Sequence, residues 1–295
     1  MSIQLSSRVP AEVKVPKPWR DAGPDDLYDV RGVCLDIDDT LSTSGKLTAD
    51  AFTALWNLKQ AGFKVVPVTG RPAGWCDHIA RFWPVDAVVG ENGAFTFFVE
   101  KGVRKRTDTL AGVADVESLQ QKLRGLGAKI RARFPEARWA SDQAYREYDL
   151  AIDICEDVPP WEEEDVKALL ALCHNEGAHA KLSSIHVNAW FGDYDKGKGF
   201  EHWLDLGAPG LAPDMAGFTS GLKGKAPALG QWLFVGDSPN DEPMYQKFEY
   251  SVGVANLRKY VDQLIHPPTW ITSEESGKGF AQVVRKLLLT QNRRR

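Results

Sequence analysis

Cysteine is scarce and unpaired. Cys34, Cys76, Cys155 and Cys173 are scattered through 295 residues with no CxxC spacing. Neither a thiolate zinc site nor a disulfide framework is indicated, and the four are read as reduced thiols. No run approaches the roughly 18 apolar residues that a membrane span requires, and the first 25 residues hold no apolar core of an export signal. The expectation is a cytoplasmic protein with no membrane partner. A basic excess is also missing: the net charge is -4 and the pI near 5.9, which argues against a nucleic-acid partner. The basic tail at 292–295 reads as a solvated terminus. Internal repeats and long low-complexity segments are lacking too.

What is present suits a globular chain, with 43% hydrophobic and 26% charged residues. Its length suggests two domains at roughly 150 residues each, or one with a large insertion. Residues 1–25, with four prolines between Pro10 and Pro24, read as a loosely ordered arm. Beyond them the apolar run Val33-Cys34-Leu35 ends in acidic residues, as a buried parallel strand does when its carboxyl end opens onto a site. Thr48 is placed to cap a helix with Phe52, Leu55, Trp56 and Lys59 at helical spacing, and Ala61-Gly62 closes it before a strand at 63–68. A helix at 72–82 and a strand at 86–89 follow. The pattern resumes late, with helices near 199–206, after Asn240 and at 279–289, and strands at 232–235 and 250–254. Such alternation predicts an α/β fold with a doubly wound parallel sheet. The middle differs: helices at 113–134 and 161–176 accompany alternating stretches at 148–154 and 179–187. This reads as an inserted α+β unit at 98–190 dividing a core of 26–97 and 191–295. Residues 207–230, rich in Gly, Ala and Pro, form one long loop.

Chemistry concentrates at the strand ends. Asp36-Ile37-Asp38-Asp39-Thr40 sets carboxylates at i and i+2 just past a strand, where turning backbone aims both at one point. Magnesium takes hard oxygen ligands and few protein carboxylates, so further acidic groups are expected from elsewhere. Gly236-Asp237-Ser238-Pro239-Asn240-Asp241 supplies them, again directly after a buried strand. Either cluster alone is consistent with a solvated turn; the pair, 200 residues apart, is far more specific. Thr69, Gly70 and Arg71 offer a hydroxyl and backbone N–H groups suited to phosphate oxygens. In Asp195-Lys196-Gly197-Lys198-Gly199, either lysine could offset the charge of carboxylates meeting a phosphate.

These four stretches, in this order, resemble the four motifs of the haloacid dehalogenase superfamily over about residues 30 to 290. The Glu91-Asn92-Gly93-Ala94 stretch, the large late insert and the Gly-Asp-Ser-Pro-Asn-Asp-Glu-Pro-Met run look like its Cof-type branch, which includes sucrose-phosphate phosphatases. The resemblance implies Asp36 as nucleophile and Asp38 as general acid and base. It implies Thr69 as a ligand of the transferring phosphoryl group and Lys196 as the charge-balancing lysine, with Lys198 taking that place if the register is in error. Magnesium would be held by Asp36, the backbone carbonyl of Asp38, Asp237 and Asp241, the last directly or through water. One departure is Asp39, where many Cof-type members have glycine; another is the length of the 207–230 loop.

The implied activity is magnesium-dependent hydrolysis of a small phosphate monoester, such as a sugar phosphate, through an aspartyl-phosphate. A phosphomutase or phosphotransferase shares the same core. A non-catalytic phosphosugar-binding module would have lost a nucleophile, acid or metal ligand, and none is lost. Asp38 argues against a dehalogenase, whose halide leaves without a proton. For substrate binding the candidates are Gly70, Arg71, Asn92, His186, Asn188 and Asn240. Alternation puts His186, Asn188 and Trp190 on one face, so that His186 and Asn188 could meet sugar hydroxyls and Trp190 could stack. Arg71 could meet a second anionic group.

Overall fold

The computed structural model describes residues 15–110, 116–211 and 227–292. The first fourteen residues of the expected arm, the start of the 113–134 helix, most of the 207–230 loop and the tail from residue 293 lie outside the described residues.

At the centre, strands Gly32–Leu35, Lys64–Pro67, Trp232–Gly236 and Tyr250–Gly253 run parallel, with Gly32–Leu35 between Trp232–Gly236 and Lys64–Pro67. Nearly every residue in them is buried, which explains their continuous apolar runs: helices cover both faces of such a sheet. On one face pack Ala51, Leu55 and Leu58 of helix Ala49–Gln60 and Phe280, Val283 and Leu287 of helix Ser276–Asn292. On the other lie Phe200 and Trp203 of helix Lys196–Asp205, with Met244 and Phe248. The fold is therefore the expected doubly wound α/β type. Thr48 caps its helix as expected, its hydroxyl accepting from the Ala51 N–H at 3.4 Å.

Residues 17–22, expected within a loosely ordered arm, pack on the core. Lys17–Pro18 pairs in parallel with Trp270–Ile271 as the sheet's edge. Trp19, 1% exposed, meets Trp270 edge-on at 5.6 Å. Lys286 donates to the carbonyls of Trp19, Arg20 and Ala22 at 2.7, 2.8 and 2.9 Å. Prolines had suggested looseness, but Pro suits an edge strand, where one N–H faces no partner.

Strand Ala87–Gly90 touches the main sheet at Val68 and Val89 and pairs antiparallel with Phe95–Glu100, which pairs with Val103–Asp108. Residue 98, expected to open the insert, thus sits mid-strand beside the core, because Phe95, Phe97 and Phe98 are all buried. After Asp108 comes a separate antiparallel sheet in the order His179–Leu182, His186–Trp190, Asp149–Asp153, Arg138–Trp139. Helices Val116–Arg133 and Glu163–Asn175 cover one of its faces through Leu126, Ile130, Leu169 and Cys173 against Ile152, Val187 and Ala189. His186, Asn188 and Trp190 take the opposite face, toward the carboxyl edge of the parallel sheet. The expected 179–187 alternation breaks at Ser183, whose N–H and hydroxyl both donate to the His186 carbonyl and turn the chain into a hairpin.

Candidate active site

Four strand ends converge. The ladder hydrogen bonds continue one residue past the strands, from Asp36 N–H to the Val235 carbonyl (2.9 Å), Val68 to Leu35 (2.8 Å) and Thr69 to Val89 (2.9 Å). This register fixes Asp36, Thr69 and Asp237 at one edge. After Asp36 the chain turns tightly, Leu41 and Ser42 both donating to the Ile37 carbonyl at 3.0 and 2.9 Å. Asp39 in this turn has φ +53°, a left-handed conformation that glycine adopts freely and aspartate tolerates. That accounts for glycine being common at this place.

The second acidic cluster is folded by its own carboxylate. Asp241 accepts from the N–H groups of Asp237 at 2.9 Å and Ser238 at 3.3 Å. Gly236 makes this fit, because a Cβ there would lie 2.3 Å from the Asp241 oxygen. Asp237 accepts from Thr40 Oγ1 at 3.1 Å and Asn256 Nδ2 at 3.2 Å, and Asn256 also donates to the Asp39 carbonyl at 2.9 Å. Asn256 ties the two acidic turns together, a role that no motif spacing announces.

Asp195 caps the third element, accepting from the Lys198 N–H at 2.8 Å, so the helix starts at Lys196 and not near residue 199. Its first turn lies directly on the 91–94 turn: a Cβ at Gly199 would meet Gly93 Cα at 2.4 Å. This contact seats Lys196, 1% exposed, with Nζ 2.9 Å from Asp36 Oδ1 and 2.6 Å from Asp241 Oδ1. Lys198 points outward to Asp193. Geometry thus brings Lys196, not Lys198, to Asp36.

Ligand oxygens of Asp36, Asp237 and Asp241 lie within 4.8 Å of one another, and all three residues are buried. Burial pushes Asp36 up to about 7, Asp241 and Asp38 adding to the rise while Lys196 opposes it. Asp237 is raised well above the carboxylate range by burial and then by Asp36 and Asp241. Burial would lower Lys196, but Asp241 and Asp36 outweigh it and hold the ammonium well above its ordinary value. With all three carboxylates ionised against one ammonium, two negative charges would be in excess. An all-oxygen set with that excess fits a small hard divalent cation.

Asp38 faces elsewhere. Arg71 grips it with a two-pronged guanidinium contact, Nε to Oδ2 at 2.9 Å and Nη2 to Oδ1 at 2.7 Å. The same guanidinium reaches Asp142 at 3.3 Å and Glu156 at 2.7 Å in the antiparallel unit. The expectation that Arg71 awaits a second anionic group is corrected: it already serves three carboxylates. His186 Nε2 lies 2.9 Å from the other Glu156 oxygen. Those two partners, His186 first and then Arg71, hold Glu156 down at about 2.

Thr69 is fully buried and its hydroxyl oxygen accepts from the Arg71 N–H at 3.1 Å. Gly70 leaves room beside Asn92 and Asn188, whose amide atoms lie 3.3 and 3.5 Å from where a Cβ would be. Asn240 Nδ2 donates to Asn92 Oδ1 at 3.5 Å. Asn188 donates to Asp149 at 2.9 Å, so half of its amide is engaged within the protein. Trp190 does not present a stacking surface: it is 3% exposed, donates to the Tyr194 carbonyl at 3.1 Å and stacks on Tyr194. Two further groups clasp the units together. Arg146 donates to the Gly70 carbonyl at 2.8 Å while paired with Asp142 and Asp149 at 2.9 Å each. Glu91 accepts from Ala73, Glu147 and Tyr148 backbone N–H groups at 3.2, 3.0 and 2.5 Å. Burial, then Asp149, raises Glu91 to about 8.

Comparison with known proteins agrees with this geometry. Residues 33–131 match the family model described as haloacid dehalogenase-like hydrolase. Phosphoglycolate phosphatase 1 of Saccharolobus solfataricus is 27% identical over 266 residues, 88% of this chain and 96% of that protein. Among solved structures, protein 0175 of Thermoplasma acidophilum superposes with a TM-score of 0.64 at 16% identity, over 88% of this chain and 99% of that one. Sucrose-phosphatase of Synechocystis, solved with sucrose and phosphate, gives 0.59 at 15% identity, over 87% and 97%. The trehalose-6-phosphate phosphatase C-terminal domain of C. albicans gives 0.66 at 14% identity, over 96% and 99%. With the fold and the converging strand-end motifs, these likenesses make the chain similar to haloacid dehalogenase-like hydrolases, whose family model it matches over residues 33–131.

Proposed function

We propose that this protein is a magnesium-dependent phosphatase that hydrolyses a monoester of a sugar or similar small metabolite through a phosphorylated Asp36. The carrying observation is the division of labour between neighbouring carboxylates. Asp36 sits with Lys196, Asp237 and Asp241 in an ion-binding cluster, while Asp38, two residues on, is held by Arg71 outside it.

Phosphoryl transfer is mostly positioning and charge neutralisation. Mg2+ would be held by Asp36, the Asp38 carbonyl, Asp237 and Asp241, and when bound it supplies positive charge to nucleophile and phosphate. Lys196 neutralises Asp36 from the other side. Thr69 Oγ1 accepts from its own turn, leaving its hydrogen to donate to a phosphoryl oxygen. Asp36 attacks phosphorus, the ester P–O bond breaks, and the departing oxygen takes a proton from Asp38. Asp38, now ionised, accepts a proton from the water that hydrolyses the aspartyl-phosphate. The antiparallel unit between Asp108 and Trp190 acts as the cap that reads the leaving group.

Phosphate release from a panel of sugar phosphates, disaccharide phosphates and phosphoglycolate, with Mg2+ or EDTA, tests this. The expected result is metal-dependent release that falls by at least about 10³-fold in Asp36→Asn, with a phosphoryl adduct on the wild-type chain by mass spectrometry. Isomerised sugar phosphate without free phosphate would instead make the protein a mutase.

A further inference from the structure

A leaving group departing from phosphorus as Asp36 attacks must lie against Asp38 to take its proton, and the groups around Asp38 are mostly acidic. Arg71, 4% exposed, is shared by Asp38, Asp142 and Glu156. Glu156 is presented rigidly: Asp153 accepts from the N–H groups of Cys155, Glu156 and Asp157 at 3.0, 2.8 and 2.9 Å. His186 completes the contact of Glu156 at 2.9 Å. The other buried cations here are matched as well, Lys196 by Asp36 and Asp241, and Arg146 by Asp142 and Asp149. Lys259 is exposed, and its charge acts on Asp39. An uncharged donor is available nearby, since Asn92 Nδ2 is buried without a hydrogen-bond partner.

We infer that Asp142 and Glu156 make this site select against esters whose leaving group carries a second negative charge, so that the leaving group it accepts is a neutral polyhydroxy compound. The inference rests on the phosphatase reading and deepens it. A second carboxylate or phosphate would have to displace Asp142 or Glu156 from Arg71 and would then face both of them. A hydroxyl instead donates to a carboxylate, a charge-assisted bond of the strong kind, and accepts from Asn92. This separates the chain from the relative named for phosphoglycolate, whose leaving group, glycolate, is an anion.

Two substrate pairs isolate the charge. 2-Hydroxyethyl phosphate and phosphoglycolate differ only by CH₂OH against carboxylate, as do glycerol 2-phosphate and 2-phosphoglycerate. With the full chain and Mg2+, kcat/KM is expected to favour the neutral member of each pair by at least about tenfold, mainly through KM, since like-charge juxtaposition penalises binding. Glu156→Gln should narrow that ratio at least about threefold by lowering KM for the anionic member. Equal use of both members, or preference for the anionic ones, overturns the inference while leaving the phosphatase intact. No release from any of the four, or from the sugar phosphates of the wider panel, overturns the phosphatase reading and this inference with it.

Discussion

Lys196 lies between Asp36 and Asp241, within 2.9 Å of both, at a place where two buried carboxylates would otherwise repel. Replacing it by methionine keeps the volume and removes the charge. Lys196→Met is expected to lower kcat by at least about 10²-fold, because charge placed where the phosphoryl group reacts is commonly the largest single contribution. Steady-state phosphate release checks this. The same cluster makes stability depend on pH. Asp36 rises from an ordinary 3.8 to about 7 through burial and its acidic neighbours, so the folded state holds this proton more tightly than the unfolded one. The proton-linked stability is therefore full below about 4 and is lost as pH climbs to about 7. EDTA-treated protein should melt lower at pH 8 than at pH 5.5. Magnesium should raise Tm more at pH 8, where Asp36 is ionised, and thermal melts with and without the ion read both effects.

Between elements, the closest approach is that of the 91–94 turn and the Lys196 helix, where Gly93 and Gly199 meet backbone to backbone. A methyl at residue 199 would stand 2.4 Å from Gly93 Cα and 2.5 Å from its carbonyl oxygen. Gly199→Ala is expected to cost about 1–3 kcal/mol in urea unfolding and to reduce kcat as well, because the helix carries Lys196 with it. The two glycines were visible as letters, yet nothing in their spacing said that they touch. The strands and the acidic turns were legible, because buried parallel strands leave unbroken apolar runs and their carboxyl ends leave Asp, Gly and Thr in fixed order. The hairpin at Ser183 was not, since its serine-backed turn lacks the Gly or Pro that usually announces one. Asn256, Glu91 and Arg146 were also missed. Their partners lie 56 or more residues away in the cases of Glu91 with Glu147 and Arg146 with Gly70, and 217 away for Asn256 with Asp39. Local pattern carries no trace of such pairings. Trp19 shows the converse error: its proline-rich surroundings suggested a loose arm, but burial against Trp270 holds it in place.

Across the whole molecule, the seam between the parallel core and the antiparallel unit is held by buried polar groups rather than by an apolar face alone. Arg146 has no exposed side-chain surface and faces two carboxylates. Removing it leaves Asp149 buried without its cation and Asp142 with only the longer Arg71 contact at 3.3 Å. Arg146→Ala should destabilise the fold by about 3–5 kcal/mol, with a loss of activity following from the freed Gly70 carbonyl. Equilibrium denaturation followed by tryptophan fluorescence measures the first and phosphate release the second.

Arg71 has a consequence for how such an enzyme can diversify. Its guanidinium joins Asp38 of the core to Asp142 and Glu156 of the other unit, so the part proposed to recognise the leaving group and the part proposed to protonate it share one side chain. A chimera carrying a foreign insert inherits this core but loses the two acids that hold Arg71 in line with Asp38. On the proposed mechanism, a graft is expected to keep activity only when it brings its own acidic pair, so that recombination at this seam would swap proton-handling geometry as much as specificity.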